Sequence, residues 1–509
     1  MLIIQAETGK NLSHLSRNVL MAFCLFGLTG ASGPSPKIPE VELKVGIVQR
    51  FGEEPNQELT LEATKGDRLT LHFLAGNMQP QTLEVDKVKL EARMQAIPVP
   101  VVAERLVLGN YRSFETAEDA ADKWHKKGIP VEVAQPERWH VWAKRSVYNT
   151  PLLRRLLLQN LQEQGEKTAY LDTNILPKEA RVSWIVNGLR YNRKNLEITS
   201  KKDLIKVKKG KDDKFGRIYG GSLRLKPNSY GTYTLINEVA LEIYLRGVVP
   251  HEIDYNAPYG AMEAQAIIAR TYALRNLRRF AIDGYQICAD TQCQVYKGLT
   301  GTSASSDSAI AATKSQVLTY DNQIVDALYS STTGGVTAQF DDVWNGAKRP
   351  YLKPVIDSTQ NIWDLSRKSL ANEENLRQFI SLKQGFNEKG WNTFRWRRTS
   401  TLTDITKDLQ RYLKKTKHPL ANFKKIDQIA VVERSPAGRI LKLEVETDQG
   451  VVELYKDDVR SAFIAPSSTL FYLEPVYNKD KTLKGYTFAG GGLGHGVCLL
   501  YTSPSPRDS

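Results

Sequence analysis

Six short runs between residues 104 and 172 can each be assigned a hydrophobic period, and their order leaves few folds open. Leu106-Val107-Leu108 reads as a strand. Residues 116–127 place Ala117, Ala120, Ala121 and Trp124 on one helical face. Val131 and Val133, then His140-Val141-Trp142, read as two further strands. Residues 151–163 form a Leu-rich helix, and Ala169-Tyr170-Leu171 closes the unit. Strand, helix, strand, strand, helix, strand over about seventy residues is the ferredoxin-like split βαβ unit.

Turn-punctuated strands precede it. Val41-Leu43-Val45-Ile47 and Leu59-Leu61 alternate, and Arg68-Leu69-Thr70-Leu71-His72-Phe73 follows the turn Lys65-Gly66-Asp67. Downstream, residues 403–413 read as a helix, and residues 429–432 and 441–445 as strands about a Pro436-Ala437-Gly438 turn. A chain of 509 residues has room for about three domains at roughly 150 residues each. The expected architecture is multidomain α+β: a β-rich region at 38–98, the ferredoxin-like module at 104–175 and a mixed α+β catalytic region at 215–497. Hydrophobic residues at 41% and charged residues at 25% exclude global disorder, and 4 Cys exclude a disulfide-dense mini-protein.

Both ends look extrinsic to the fold. Residues 19–28 (VLMAFCLFGL) are too short to span a bilayer comfortably. Lys10, His14 and Arg17 precede them and a Thr29-Gly30-Ala31 step follows. This reads as a secretory signal peptide within residues 1–33, cleaved near Ala31, against an uncleaved anchor or a core helix. Phe23 ahead of Cys24 argues against a lipid anchor. Residues 498–509 resemble a translated sequencing adapter, against an ordinary Pro/Ser-rich tail, and are set aside as a scar.

Lys+Arg 70 against Asp+Glu 56 leaves a net charge of +14, which suits a polyanionic partner. Export argues against nucleic acid in that role and for a cell-wall polymer, in the periplasm or the wall itself. Residues 193–217, with 10 Lys/Arg against Glu197, Asp203, Asp212 and Asp213, read as a solvated hairpin or loop, or as an electrostatic guide for such a polymer.

The densest signals lie at 238–280. An apolar stretch ends in a turn bearing Glu252, flanked by Val248-Val249-Pro250 and Ile253. Pro258 then opens a helix, where its missing N–H costs nothing. Ala261, Ala264, Ala266, Ala269 and Ala273 keep that helix slim enough for close packing, with Gln265 and Arg270 as its polar residues. Glycosidases of the ordinary kind need two carboxylates. A lytic transglycosylase needs one, because the sugar's own C6 hydroxyl attacks the anomeric carbon. That single carboxyl must carry a raised pKa in a partly apolar site. Glu252 fits; Asp254 close by would permit hydrolysis if it faced Glu252.

Ordered motifs here resemble the stage II sporulation protein D family, whose domain is also called an amidase enhancer. They are Tyr244-Leu245-x-Gly247-Val248-Val249-Pro250-x-Glu252, then Ala264-Gln265-Ala266-x-x-Ala269-Arg270-Thr271-Tyr272-Ala273, then Cys293-Gln294-Val295-Tyr296-x-Gly298. Tyr329-Ser330-x-x-x-Gly334-Gly335-x-Thr337, Pro350-Tyr351-Leu352 with Trp363, and Gly494-His495-Gly496-Val497 complete the set, over about 215–497. Gly109-Asn110-Tyr111 with Ser113-Phe114 resembles the opening of a SPOR domain, a module that binds glycan stripped of peptides. The family resemblance implies cleavage, or promoted cleavage, of peptidoglycan. It implies Glu252 as catalytic acid, with Arg270 on a sugar substituent or on developing charge; a structural ion pair is the other reading of Arg270. Gln265, Gln294, Tyr296, Gly334, Gly335 and His495 become candidate substrate-binding residues. Partners would be peptidoglycan glycan strands and a cell-wall amidase. Some relatives pair Cys residues like Cys288 and Cys293 with an upstream His to hold zinc. That His is absent here, so neither metal nor cofactor is expected, and the pair reads as a disulfide or as free thiols. Arg246, Arg270, Arg275 and Arg278 are expected to line a basic groove beside Glu252.

Overall fold

The computed structural model describes the backbone of residues 3–5 and residues 40–498, apart from 55, 56, 167, 254, 255, 331 and 417. The apolar run 19–28, the step at Ala31 and residues 499–509 lie outside the described residues, and so does Asp254. Cys498, assigned by sequence to the foreign tail, is buried in the fold. No helix among the described residues is long and apolar enough to cross a membrane.

The fold is mixed α+β with several sheets. Period-2 alternation sets the core face of each strand: Leu43 and Val45, Leu69 and Leu71, and Leu223 and Leu225 are fully buried between polar neighbours. The β-rich region 38–98 is not closed on itself. Glu42–Phe51 pairs with Tyr233–Ala240, Glu58–Ala63 with Leu204–Lys209, and Leu69–Leu74 with Leu196–Ser200. Two sheets are thus built jointly from the segments before and after the module. An edge strand leaves a row of N–H and C=O groups unpaired, and here partners more than a hundred residues away supply them.

The module at 104–175 enters and leaves on two long antiparallel strands, Lys87–Tyr111 and Tyr170–Val186. Its four strands lie fourth, first, third, second, all antiparallel, with helices Phe114–Lys126 and Pro151–Glu163 between them. This is the ferredoxin-like arrangement. Ser113 caps the first helix by accepting from the Thr116 N–H, and Thr150 with Pro151 starts the second.

The expected catalytic region divides into two bodies of core. Residues from Tyr233 to about 352 pack into the large core shared with the β-rich strands and the module. Leu409, Leu443, Phe471 and Phe488 form a second core around the helix Leu402–Lys415 and two three-stranded sheets. A smaller cluster of Val336, Phe379, Phe386 and Phe394 lies in the intervening segment.

The basic groove is corrected by the ion pairs. Arg246 bonds Asp307 at 2.9 Å, Arg275 bonds Glu118 and Asp326 at 2.8 Å each, and Arg278 bonds Glu118 at 2.5 Å. Arg279, next in line, bonds the buried Glu115 at 2.9 Å. Glu115 and Glu118 belong to the first helix of the module, so these arginines clamp the module onto the helix Tyr259–Arg275 and the turn that follows it. Buried charges persist only when paired.

Candidate active site

The site is built where four stretches converge. Strand Tyr233–Ala240 runs into the short helix Leu241–Arg246, and Gly247 turns the chain into Val249–Glu252. A side chain at Gly247 would meet the Gly298 carbonyl at 2.3 Å and the Tyr296 ring at 2.6 Å. Only glycine lets the segment 293–298 lie this close. Lys297 N–H donates to the Gly247 carbonyl at 3.1 Å, which fixes the register. The consequence is that Val295 N–H donates to the Glu252 carboxyl at 2.5 Å.

Glu252 ends its short helix, partly buried against the slim helix Tyr259–Arg275. Burial raises its pKa above the usual carboxylate value, against the opposing pull of the Val295 N–H and the Tyr329 phenol. Its charge is felt by the buried Tyr244 and Tyr272 and by the partly buried Tyr329, whose phenols are pushed up chiefly by burial. Tyr244 Oη donates to Gln294 Oε1 at 3.1 Å. Gln294 Nε2 and the Tyr329 phenol are buried without a well-formed hydrogen bond, as are both amide atoms of Gln265. Gln265 precedes Tyr272 by two helical turns on the same face. A carboxyl of raised pKa therefore sits near the unsatisfied Gln294 amide and among aromatic walls, an arrangement suited to handing a proton to a polar ligand.

The other candidate residues separate into three groups. Arg270 is 1% exposed and forms a two-pronged pair with Glu242 at 2.9 Å on both nitrogens. It also donates to the Ile310 and Gln316 carbonyls. It braces the helix Leu241–Arg246, the ion-pair reading of the sequence, and its assignment to a sugar or to developing charge is the first correction. Tyr296 is fully buried, its hydroxyl donating to Asn237 Oδ1 at 2.8 Å and its ring packed on Tyr219 and Tyr244. It belongs to the core, a second correction.

Gly334 and Gly335 take positive φ, and their N–H groups, with that of Thr333, donate to the buried Glu388 carboxylate. This backbone concavity is an anion nest already filled from within the chain. Arg439 and Arg395 hold its carbonyls from the other side. The pair acts as scaffold, not as substrate contact, the third correction. His495 is held near pKa 4 by burial, so its ring is neutral at any physiological pH. Its Nδ1 accepts from the Val497 N–H, and the ring packs on Trp344 at 4.9 Å. Ser330 Oγ donates to the Leu493 carbonyl and accepts from the Gly496 N–H, joining the glycine-rich segment to the residue beside Tyr329.

Tyr244, Tyr272, Tyr329 and Glu242 were not among the candidates, although the tyrosines stand inside the motif runs. Cys288 and Cys293 form a disulfide, directly ahead of Gln294 and Val295. Removing it by Cys293→Ser should cost about 2 kcal/mol for so short a loop, read from chemical denaturation of oxidised protein. A change indistinguishable from zero would show that the bridge does not hold this segment. Among the described residues no cluster of three or more His, Cys, Asp and Glu is placed to hold a metal.

Residues 229–320 match the family model described as stage II sporulation protein, and residues 338–498 match a domain family of unknown function. The motifs at 329–337, 350–352 and 494–497 thus fall outside the first match. An amidase enhancer of Bacillus subtilis is 26% identical over 327 residues, covering 55% of this chain and 43% of that protein. A stage II sporulation protein D of Bacillus subtilis is 33% identical over 162 residues, covering 28% of this chain and 46% of that protein. An uncharacterized protein of Brachyspira hyodysenteriae is 33% identical over 141 residues, covering 27% and 37% respectively. The chain spans less than half the length of each of these relatives.

Proposed function

Because the chain carries a stage II sporulation protein domain at 229–320, we propose that it serves the cell wall as a peptidoglycan lytic transglycosylase. The bond broken is the β-1,4 link between N-acetylmuramic acid and N-acetylglucosamine in glycan stripped of stem peptides. Glu252 gives its proton to the glycosidic oxygen as the bond to C1 breaks. The C6 hydroxyl oxygen of the same muramic residue bonds to C1, and its proton passes to the Glu252 carboxylate. No water is consumed, and the product carries a 1,6-anhydro end. The observation that carries this reading is the burial of Glu252 among Tyr244, Tyr272 and Tyr329, which keeps its carboxyl protonated to higher pH than in water. The protein would act after export, in the periplasm or the wall.

Mass spectrometry of denuded glycan incubated with this protein alone tests the reaction: anhydro-ended fragments are expected, and intact strands would refute it. The acid must be protonated to start the reaction. The rate should therefore fall as pH rises through the Glu252 titration, with a midpoint above 4.5, the ordinary value for Glu. A rate that climbs across that range would assign the limiting step to another group.

A second reading rests on the relative named amidase enhancer, which aligns over 55% of this chain. In it the protein binds the wall and stimulates a separate N-acetylmuramoyl-L-alanine amidase without cutting glycan. Stimulation of such an amidase by the Glu252→Gln protein, with no anhydro product from the wild type, would select it. The ferredoxin-like module would bind the same denuded glycan in either case.

A further inference from the structure

The arginines expected beside Glu252 are paired, yet a different set of cations near it is not. A cavity of about 460 Å³ is lined by Lys209, Arg217, Lys297, Asp290, Val295 and the strand residues around Ile47. Lys209 and Arg217 come from the basic segment 193–217; Lys297 comes from the segment that follows the disulfide. None of the three forms an ion pair among the described residues. The Lys209 ammonium donates to the Ile47 carbonyl at 2.6 Å. Lys209 is exposed as a residue, but its ammonium is pushed down to about 8, first by desolvation and then by the Arg217 charge. The one carboxylate in the wall, Asp290, is engaged by the Gln49 amide at 2.8 Å and by the Gln292 N–H.

Two links tie this cavity to the acid. Val295 lines it, and the Val295 N–H holds Glu252. The charges of Lys297 and Arg217 are also felt at His251, the residue before Glu252, whose pKa is lowered first by burial, against the opposing hydrogen bond to the Thr300 carbonyl. Three cations against one carboxylate, next to a proton donor, leave a net positive wall that can pair with an anionic group.

We propose that this cavity is the subsite for a sugar carboxylate, the lactyl group of a muramic residue bound next to the one being cleaved. The assignment rests on the glycan reading of Glu252. It supplies what that reading lacks, a reason for preferring denuded strands. When a stem peptide is attached, the lactyl carboxylate is an amide and brings bulk in place of charge. When the peptide is gone, the carboxylate is free to pair with Arg217 and Lys297.

The test uses the full chain carrying Glu252→Gln, so that the glycan is retained rather than cut. Co-sedimentation is measured with denuded glycan and with the same glycan after its lactyl carboxylates have been converted to primary amides. The parent should hold the carboxylate form about tenfold more tightly. Adding Arg217→Gln with Lys297→Gln should remove that preference while leaving retention of the amidated glycan unchanged. Arg217→Lys with Lys297→Arg should restore most of it, which a merely misfolded variant could not do. Equal retention of both glycans by the parent would overturn the assignment, and so would an undiminished preference in the double Gln variant. Inorganic phosphate competing better than free muramic acid would also overturn it. A preserved preference in a protein whose wild type yields no anhydro ends would uphold the subsite and remove only the cleavage reading.

Discussion

Replacing Glu252 with Gln should lower release of 1,6-anhydro ends by about 10²–10⁴-fold, the range supplied by a positioned general acid. The amide has the shape of the carboxyl, and its oxygen can still accept the Val295 N–H. Folding and glycan binding should therefore survive. What is lost is the ability to give a proton to the leaving oxygen and to take one back from the C6 hydroxyl. Fragment release would be followed by mass spectrometry beside a binding measurement on the same preparation. Turnover within tenfold of wild type would end the single-acid mechanism. Loss of binding along with turnover would instead show that the carboxylate holds the glycan.

The second large effect concerns the joint between the module and the site. Glu115 and Arg279 are both buried, at 6% and 7% side-chain exposure, and bond at 2.9 Å. Arg279 also lies over the rings of Phe114 and Trp139 and donates to the Gln292 carbonyl, next to the disulfide. Glu115→Ala would leave the guanidinium without its counter-charge in a packed interface. Breaking such a pair costs about 3–5 kcal/mol, measured here by urea denaturation. Replacing both partners with apolar residues should recover much of the loss, because neither charge is then stranded. A single-variant cost below about 1 kcal/mol would mean that solvent reaches the joint.

The pair also has a pH signature. Burial pushes the Glu115 carboxyl up, but Arg279, the Glu115 N–H and the Ser113 hydroxyl outweigh it and leave the pKa below the ordinary value. A depressed carboxyl stabilises the fold above its unfolded pKa, and that contribution is lost as pH falls through the lower folded value. The joint should thus loosen in acid, where Glu252 is protonated most fully.

Much of this was legible in the chain because it depends on near neighbours. The helix at 403–413 and the strands at 429–432 and 441–445 fall inside Leu402–Lys415, Ile426–Arg434 and Ile440–Thr447. The six elements of the ferredoxin-like module stand in the order their periods imply. Glu252 drew notice through its apolar shoulder, Val248-Val249-Pro250. The ligand contacts assigned to Tyr296, Gly334 and Gly335, and the sugar reading of Arg270 as against its ion-pair reading, gave way for one reason. Each residue type was read correctly as needing a particular partner, and the partner lies elsewhere in the chain. Arg270 needed an anion and has Glu242; the glycine nest needed one and has Glu388.

The sequence by itself determined the order of elements, the slim alanine helix behind the acid and the nearness of the two cysteines. Hydrophobic period, helix-starting proline and chain separation act over a few turns of chain. Only the tertiary structure decided which cations are spent on carboxylates and which stay open. Arg275, Arg278 and Arg279 meet the acidic face of a helix that begins more than 150 positions earlier, while Lys209, Arg217 and Lys297 meet one another around a cavity. Coulomb attraction and desolvation depend on distance through space and on exclusion of water, and both are settled only when distant strands complete the same sheets.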